Sequence, residues 1–168
     1  SKLEIIEFYL KKFQKVIVGG AMANTFLKAQ DIEIGNSTYE KNMLKKASSF
    51  IENYPDKILL PEDVIVLTKD QKKSEAKPTD VIDKNDKIFD IGPKTRLKFF
   101  NHIIDCQKLL WNGPLGFFEK KPFDEGTNFV VKAVKNNKNK NFFSVAGGGD
   151  TISVLKQLEA FQFFSFIS

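Results

Sequence analysis

Apolar positions along this chain follow two alternating rhythms. Leu3, Ile6, Leu10 and Phe13 recur at helical spacing, with Ile5 and Tyr9 beside them. Val16-Ile17-Val18 has no polar member and runs into Gly19-Gly20, which predicts a buried strand. A helix follows over residues 22–30, a turn over 31–35, and a longer helix over 37–54. That second helix sets Tyr39, Met43, Leu44, Ala47 and Ile51 on one side. Ser37 and Glu40 have capping-box spacing at its start, and Pro55 ends it.

The same alternation continues. Residues 58–60 and 64–67 read as strands, and 88–91 as a short extended piece. Residues 69–78 are polar and lysine-rich with no apolar period, and so read as an exposed loop. Pro93 suits the first position of a helix over 95–104, with Leu97, Phe100, Ile103 and Ile104 inward. A strand at 109–111, a loop over 112–121 and a helix over 128–134 come next. A strand at 142–146 and a glycine turn lead to a helix through Ile152, Leu155 and Leu158. A last strand is expected over 161–167. Short apolar strands alternating with amphipathic helices predict an α/β fold: three layers, α/β/α, Rossmann-like, around a mainly parallel sheet. The 168 residues suit one domain, 1–168. Ligands of such folds sit at the carboxyl ends of the strands. Three strands here end in glycine-bearing turns.

Composition narrows the function classes. No stretch approaches the roughly 18–20 apolar residues of a membrane span. The first residues mix acids and lysines with apolar side chains, unlike a secretory signal. One cysteine, Cys106, forms no internal disulfide, and one histidine, His102, excludes any site that needs two. The two stand four apart on a predicted helix and read as packing residues. A cytoplasmic location fits. The net charge of +5 raises nucleic acid as a partner, but every basic residue except Arg96 is lysine, and the lysines are dispersed. Base reading relies on arginine's fork. No nucleic acid and no membrane are therefore expected.

Three segments carry candidate chemistry. Gly147-Gly148-Gly149-Asp150-Thr151 follows an apolar strand and opens a helix. Glycines let a phosphate approach the backbone, the helix N-terminus supplies free N–H groups, and Asp150 suits Mg²⁺. The competing reading is a tight turn with Asp150 or Thr151 as the helix cap. No Gly-Lys-Ser/Thr follows, and no G-x-G-x-x-G is present. In the loop from Trp111 to Glu119, Pro114 gives rigidity, Glu119 can accept ribose hydroxyls, and Phe117 and Phe118 can pack on a base. Alternatively it is a turn behind a core tryptophan. The third segment, from Asp90 to Thr95, is by itself a turn into a helix.

In order, the chain reads VIVGGAMANTFLKAQ, IGNS, ILLPEDV, FDIGPKT, LLWNGPLGFFE, FDEGT, FFSVAGGGDT and FSFIS. That order resembles the phosphoglycerate kinase family across essentially the whole length. The resemblance implies phosphoryl transfer between 1,3-bisphosphoglycerate and MgADP, giving 3-phosphoglycerate and MgATP. It implies two Rossmann-like domains joined by a hinge, with ATP or ADP and Mg²⁺ on the C-terminal one, in an enzyme that is typically monomeric. Carried over by motif, Gly19, Gly20 and Ala21 flank the adenine and Phe89 lies beside the base. Asn112, Pro114, Leu115, Gly116 and Phe117 form the nucleotide loop, and Glu119 takes the ribose. Gly148, Gly149 and Thr151 lie at the phosphates with Asp150 towards Mg²⁺, and Lys2 is a phosphate-contacting lysine.

Some positions depart from the family pattern. Ile88 stands where the family has glycine, Phe117 where it has valine, and Phe166 where it has histidine. Ile88 and Phe117 are expected to crowd the base pocket. The chain is expected to be an incomplete C-terminal domain, lacking the phosphoglycerate-binding N-terminal domain, the final glycine-rich segment and one sheet strand. It is therefore expected to be inactive alone. Nucleotide binding without transfer, and a fragment without function, are the alternatives.

Overall fold

The computed structural model describes residues 2–68, 70 and 73–168; the side chains of Lys2 and Leu3 lie outside the described ones. Five strands form one parallel sheet. They are β1 (Lys15–Val18), β2 (Ile58–Leu59), β6 (Lys108–Asn112), β7 (Phe143–Gly147) and β8 (Phe166–Ile167), in the order β2-β1-β6-β7-β8. Successive side chains of a strand point to opposite faces, so a strand covered on both sides must be apolar throughout. Val16, Val18, Leu110 and Val145 meet α1 (Lys2–Leu10), α2 (Gly20–Ala29) and α3 (Leu44–Asn53) through Ile6, Leu10, Met22, Phe26, Ala47 and Phe50. Ile17, Leu109, Trp111 and Ala146 meet α4 (Pro93–Ile103), α5 (Glu125–Lys135) and α6 (Gly149–Gln157) through Phe99, Ile103, Val130, Ala133 and Leu155. The α/β layering read from the sequence is the observed one. No helix among the described residues is long and apolar enough to cross a membrane.

A second sheet was not anticipated. β3 (Asp63–Leu67), β4 (Ser74–Pro78) and β5 (Lys87–Ile91) form an antiparallel sheet in the order β4-β3-β5 over a small core of Val64, Val66 and Ile82. β4 lies within the segment expected to be a loop; Lys69, Gln71 and Lys72 of that segment lie outside the described residues. Its sequence, SEAKP, shows no period because no apolar side chain of it is buried. Backbone pairing with β3 holds it, Lys77 bonds the buried Asp86 carboxylate (2.7 Å), and a terminal proline is an ordinary edge-strand residue.

Three other elements differ from the periodicity. The helix expected over 37–54 begins only at Leu44, after a 3-10 turn at Lys41–Met43. Ser37 and Glu40 form no capping box. The Ser37 hydroxyl accepts the Ile88 N–H, and the Glu40 N–H donates to the Thr25 hydroxyl, so this segment is a strap tying β5 to α2. In α4 the buried stripe is Thr95, Phe99 and Ile103, while Leu97 is 59% exposed. The expected strand over 161–167 is a 3-10 turn at Phe161–Phe163 followed by the two residues of β8. Reciprocal bonds between the amides and hydroxyls of Ser144 and Ser165 dock it on β7. Cys106 lies beyond the end of α4, buried, so it does not share a helix face with His102.

The two sheets are joined at the start of α4. The buried Asp63 carboxylate accepts the N–H groups of Lys94 (3.0 Å) and Thr95 (2.8 Å), capping the helix from another element. The Thr95 hydroxyl donates to Asp63 and accepts the amides of Glu62 and Asp63. Gly92 leaves room for this: a Cβ there would stand 2.3 Å from the Asp63 Cγ. Asp63→Ala leaves buried donors unpaired and removes the cap, and should cost about 2–3 kcal/mol. Thermal unfolding should show a melting point several degrees lower, with the far-ultraviolet spectrum retained below it.

Candidate functional site

Three neighbouring strands end level with one another. Val18 of β1 is opposite Asn112 of β6, which is opposite Gly147 of β7. The turns that leave these ends interlock. The Gly19 N–H donates to the Asn112 carbonyl (3.1 Å), and the Gly113 N–H donates to the Thr151 hydroxyl (2.7 Å). The indole N–H of Trp111, wholly buried, donates to the Gly113 carbonyl (2.7 Å). A Cβ on Gly19 would lie 2.0 Å from the Pro114 carbonyl oxygen, so no larger residue fits. Gly148, at φ +95°, is the N-cap of α6, in place of the Asp150 or Thr151 cap considered from the sequence.

Two clefts open around these turns and share Gly20 and Ala21 as a common wall. The first, about 470 Å³, is mainly apolar, with Leu27, Val64, Phe89, Leu115, Gly116 and Phe117 among its lining residues. Phe89 and Phe117 stand edge to face at 5.9 Å, and the Phe117 N–H donates to the Phe89 carbonyl (2.8 Å). Phe117 is 50% exposed. Lys87 lies 5.6 Å over the Phe89 ring. The second cleft, about 370 Å³, is lined by backbone of Gly19, Gly113, Pro114, Gly148 and Gly149, with Asn112, Asp150, Thr151 and Glu40. The N-termini of α2 and α6 both border it, and each presents unpaired N–H groups and positive potential. One cleft therefore suits a flat apolar group and the other an anion.

The structure thus gathers most of the residues singled out from the sequence. Gly20, Ala21, Phe89, Leu115, Gly116 and Phe117 border the apolar cleft, and Gly19, Asn112, Pro114, Gly148, Gly149, Asp150 and Thr151 border the polar one. Two are not in the clefts. Glu119 is exposed on the loop beyond Phe117 and lines neither, and Phe118 turns towards Asp124 and Thr127. Lys2 belongs to α1, but its side chain lies outside the described ones. Asp150 and Glu40 are the carboxylates of the polar cleft, hard oxygen donors of the kind Mg²⁺ takes alongside phosphate and water. Among the described residues no group of three or more His, Cys, Asp or Glu could hold a metal unaided. A cation here would need ligand oxygens to complete its shell.

Several lining residues escaped the sequence reading. Asn24 sits one turn after Gly20 on α2, and its amide donates to the Thr38 carbonyl (3.0 Å). The helical period of residues 20–27 contained that signal. Glu40 was hidden by its assignment to a helix. Asp90 is 1% exposed beneath the apolar cleft; its Oδ1 accepts the Ile91 N–H and its Oδ2 the Gly126 N–H.

The family model for phosphoglycerate kinase matches residues 1–168. The phosphoglycerate kinase of Psychrobacter cryohalolentis is 37% identical over 180 aligned positions, covering 100% of this chain and 44% of that enzyme. The Coxiella burnetii enzyme is 36% identical, again over 100% of this chain and 44% of its own length. The solved structure of the Coxiella burnetii enzyme superimposes with a TM-score of 0.87 at 37% identity, over 99% of this chain and 44% of that one. That of phosphoglycerate kinase from Pyrococcus horikoshii gives 0.78 at 25% identity. The chain spans under half the length of these relatives. Matched throughout its own length by sequence and by fold, it belongs to the phosphoglycerate kinase family.

Proposed function

We propose that this chain is the nucleotide-binding half of a phosphoglycerate kinase. The supporting observation is the pairing of an apolar cleft with a polar, helix-terminated one across the shared wall of Gly20 and Ala21. An adenine between Phe89, Phe117 and the α2 face, with its diphosphate at the N-termini of α2 and α6, would occupy both. Glu119, on the loop that leaves the apolar cleft, would take the ribose. Asp150, with Glu40 across the cleft, would hold Mg²⁺, which when bound neutralises charge on the transferring phosphoryl group.

The reaction is transfer of a phosphoryl group between an acyl phosphate and the terminal oxygen of the nucleotide diphosphate. It needs positioning and charge stabilisation, with no covalent intermediate on the protein. In this reading the glycine turns supply backbone N–H groups to the phosphates at fixed positions, and Asn112 orients the polar cleft between β6 and β7. The acyl phosphate would come from the N-terminal domain of the family, in the cytoplasm, as part of glycolysis. The chain by itself would bind nucleotide without turnover.

Calorimetric titration of MgADP into the chain should give saturable binding. Asp150→Ala should weaken it about tenfold or more, and chiefly in the presence of Mg²⁺. Absence of binding by the folded chain would refute the proposal. Mixing the chain with the N-terminal domain of a related enzyme should produce ATP from 1,3-bisphosphoglycerate and MgADP, whereas either part alone should not. A chain that binds MgADP but yields no ATP in the mixture is a binding module only.

A further inference from the structure

Asp90 is a carboxyl group buried where three elements meet. It projects from β5, immediately after Phe89, whose ring and carbonyl form one side of the apolar cleft. Its Oδ1 accepts the Ile91 N–H at 2.8 Å, and its Oδ2 accepts the Gly126 N–H, in the first turn of α5, at 3.0 Å. Two glycines make room for it. A Cβ on Gly116 would lie 2.5 Å from Oδ1, and one on Gly126 would lie 2.4 Å from the same atom. Gly116 belongs to the loop that carries Phe117, and the Phe117 N–H is bonded to the carbonyl of Phe89, the residue next to Asp90.

We infer that Asp90 is a positioning residue for the nucleotide base: its carboxyl group ties the start of α5 to β5 and packs against Gly116, beneath the Phe117–Phe89 backbone bond, and so sets the separation of Phe89 and Phe117. This rests on the nucleotide reading for its functional meaning, though the clamp stands on the geometry alone. The charge around it is specific. Arg96 from α4 and Glu125 from α5 face the carboxyl and are paired with one another. Asp63 of β3 is turned to the α4 N-terminus, and residues 113–118 carry no charge.

Burial pushes the Asp90 carboxyl up to about 7 from an ordinary 3.8. The two N–H groups and Arg96 oppose that rise, and Glu125 adds to it. The folded chain therefore holds a proton that the unfolded chain releases between those two values. Across that window the unfolded state binds fewer protons, so this group lowers stability as pH rises, and the loss is complete above the folded value. A polyanionic ligand that covers the cleft further disfavours the ionised form. Nucleotide affinity should therefore fall as pH rises through about 7.

Amide NMR of the unmodified chain tests the clamp without any ligand. The Ile91 and Gly126 amides should titrate together with a midpoint near 7. The protection factor of the Phe117 amide against exchange should change across it, while those of β6 stay constant. Independent midpoints, or an unchanged Phe117, would overturn the inference. The companion variant is Asp90→Asn. It should bind MgADP about tenfold more weakly at low pH and lose the pH-dependent part of the affinity. A folded variant with unaltered affinity and profile would reduce Asp90 to a purely structural group. If MgADP binds neither protein, the nucleotide reading fails, while the amide titration still decides the clamp. If Asp90→Asn does not fold, the titration of the unmodified chain decides it.

Discussion

Gly19 has no room for a side chain, and the site is organised around that fact. Its Cα faces the Pro114 carbonyl so closely that a Cβ would stand 2.0 Å away. The contact exists because β1 and β6 are parallel neighbours whose ends are in register, so the turns leaving them must cross. Trp111 fixes the crossing from below: its ring is held in the core against Phe164, and its N–H grips the Gly113 carbonyl. Thr151 fixes it from the side, accepting the Gly113 amide from the first turn of α6. Backbone N–H groups are thereby held in place by a packed core before any ligand arrives, which is what anion binding without reorganisation requires.

The two clefts have different supports. The polar cleft rests chiefly on the parallel sheet, through β1, β6 and β7, with Glu40 of the strap on one side. The apolar cleft borrows its outer wall from β5, a member of the other sheet. Ile91 packs that wall into the main core, and hydrogen bonds complete the attachment: Asp63 to the start of α4, Ser37 to Ile88, Phe89 to the loop and Asp90 to α5. Each of these bonds comes from a polar group reaching across from another element. Such bonds are geometrically specific, and their loss is costly because the partner left behind has no water to turn to. The apolar cleft is therefore the one whose geometry depends more on individual side chains.

This difference also explains what could be read from the chain. The parallel sheet was legible because burial on both faces leaves runs such as Val16-Ile17-Val18 and Leu109-Leu110-Trp111 with no polar member. The glycine turns were legible because crowding at Gly19 and positive φ at Gly20, Gly113 and Gly148 favour glycine there. The strap from Ser37 to Glu40 was misread as helix because a capping-box spacing and a tertiary pair of hydrogen bonds look the same in sequence. β4 was invisible because its pairing is through the backbone and no apolar side chain of it is buried. Asp90 was read as part of a turn, since nothing local shows that Gly116 and Gly126, far along the chain, make room for its carboxyl group. Glycine and carboxylate signals that depend on long-range contact lie beyond periodicity.

Two of the departures from the family pattern, Ile88 and Phe117, line the apolar cleft, and their surroundings show how each is held. Ile88 borders the cleft but also packs on the Val64, Val66 and Ile82 cluster of the antiparallel sheet, so its branched side chain contributes to that small core. The pairing of β3 with β5 shifts register between Ile65 and Val66, next to the strand partner of Ile88. Phe117 stands edge-on to Phe89 and half in solvent, extending the wall outward and leaving the space between Phe89 and α2 open. Edge-to-face rings are a favourable arrangement in themselves. A larger residue at the rim is thus accommodated by the backbone beneath it: with its N–H bonded to the Phe89 carbonyl, Phe117 has a fixed base from which to reach outward.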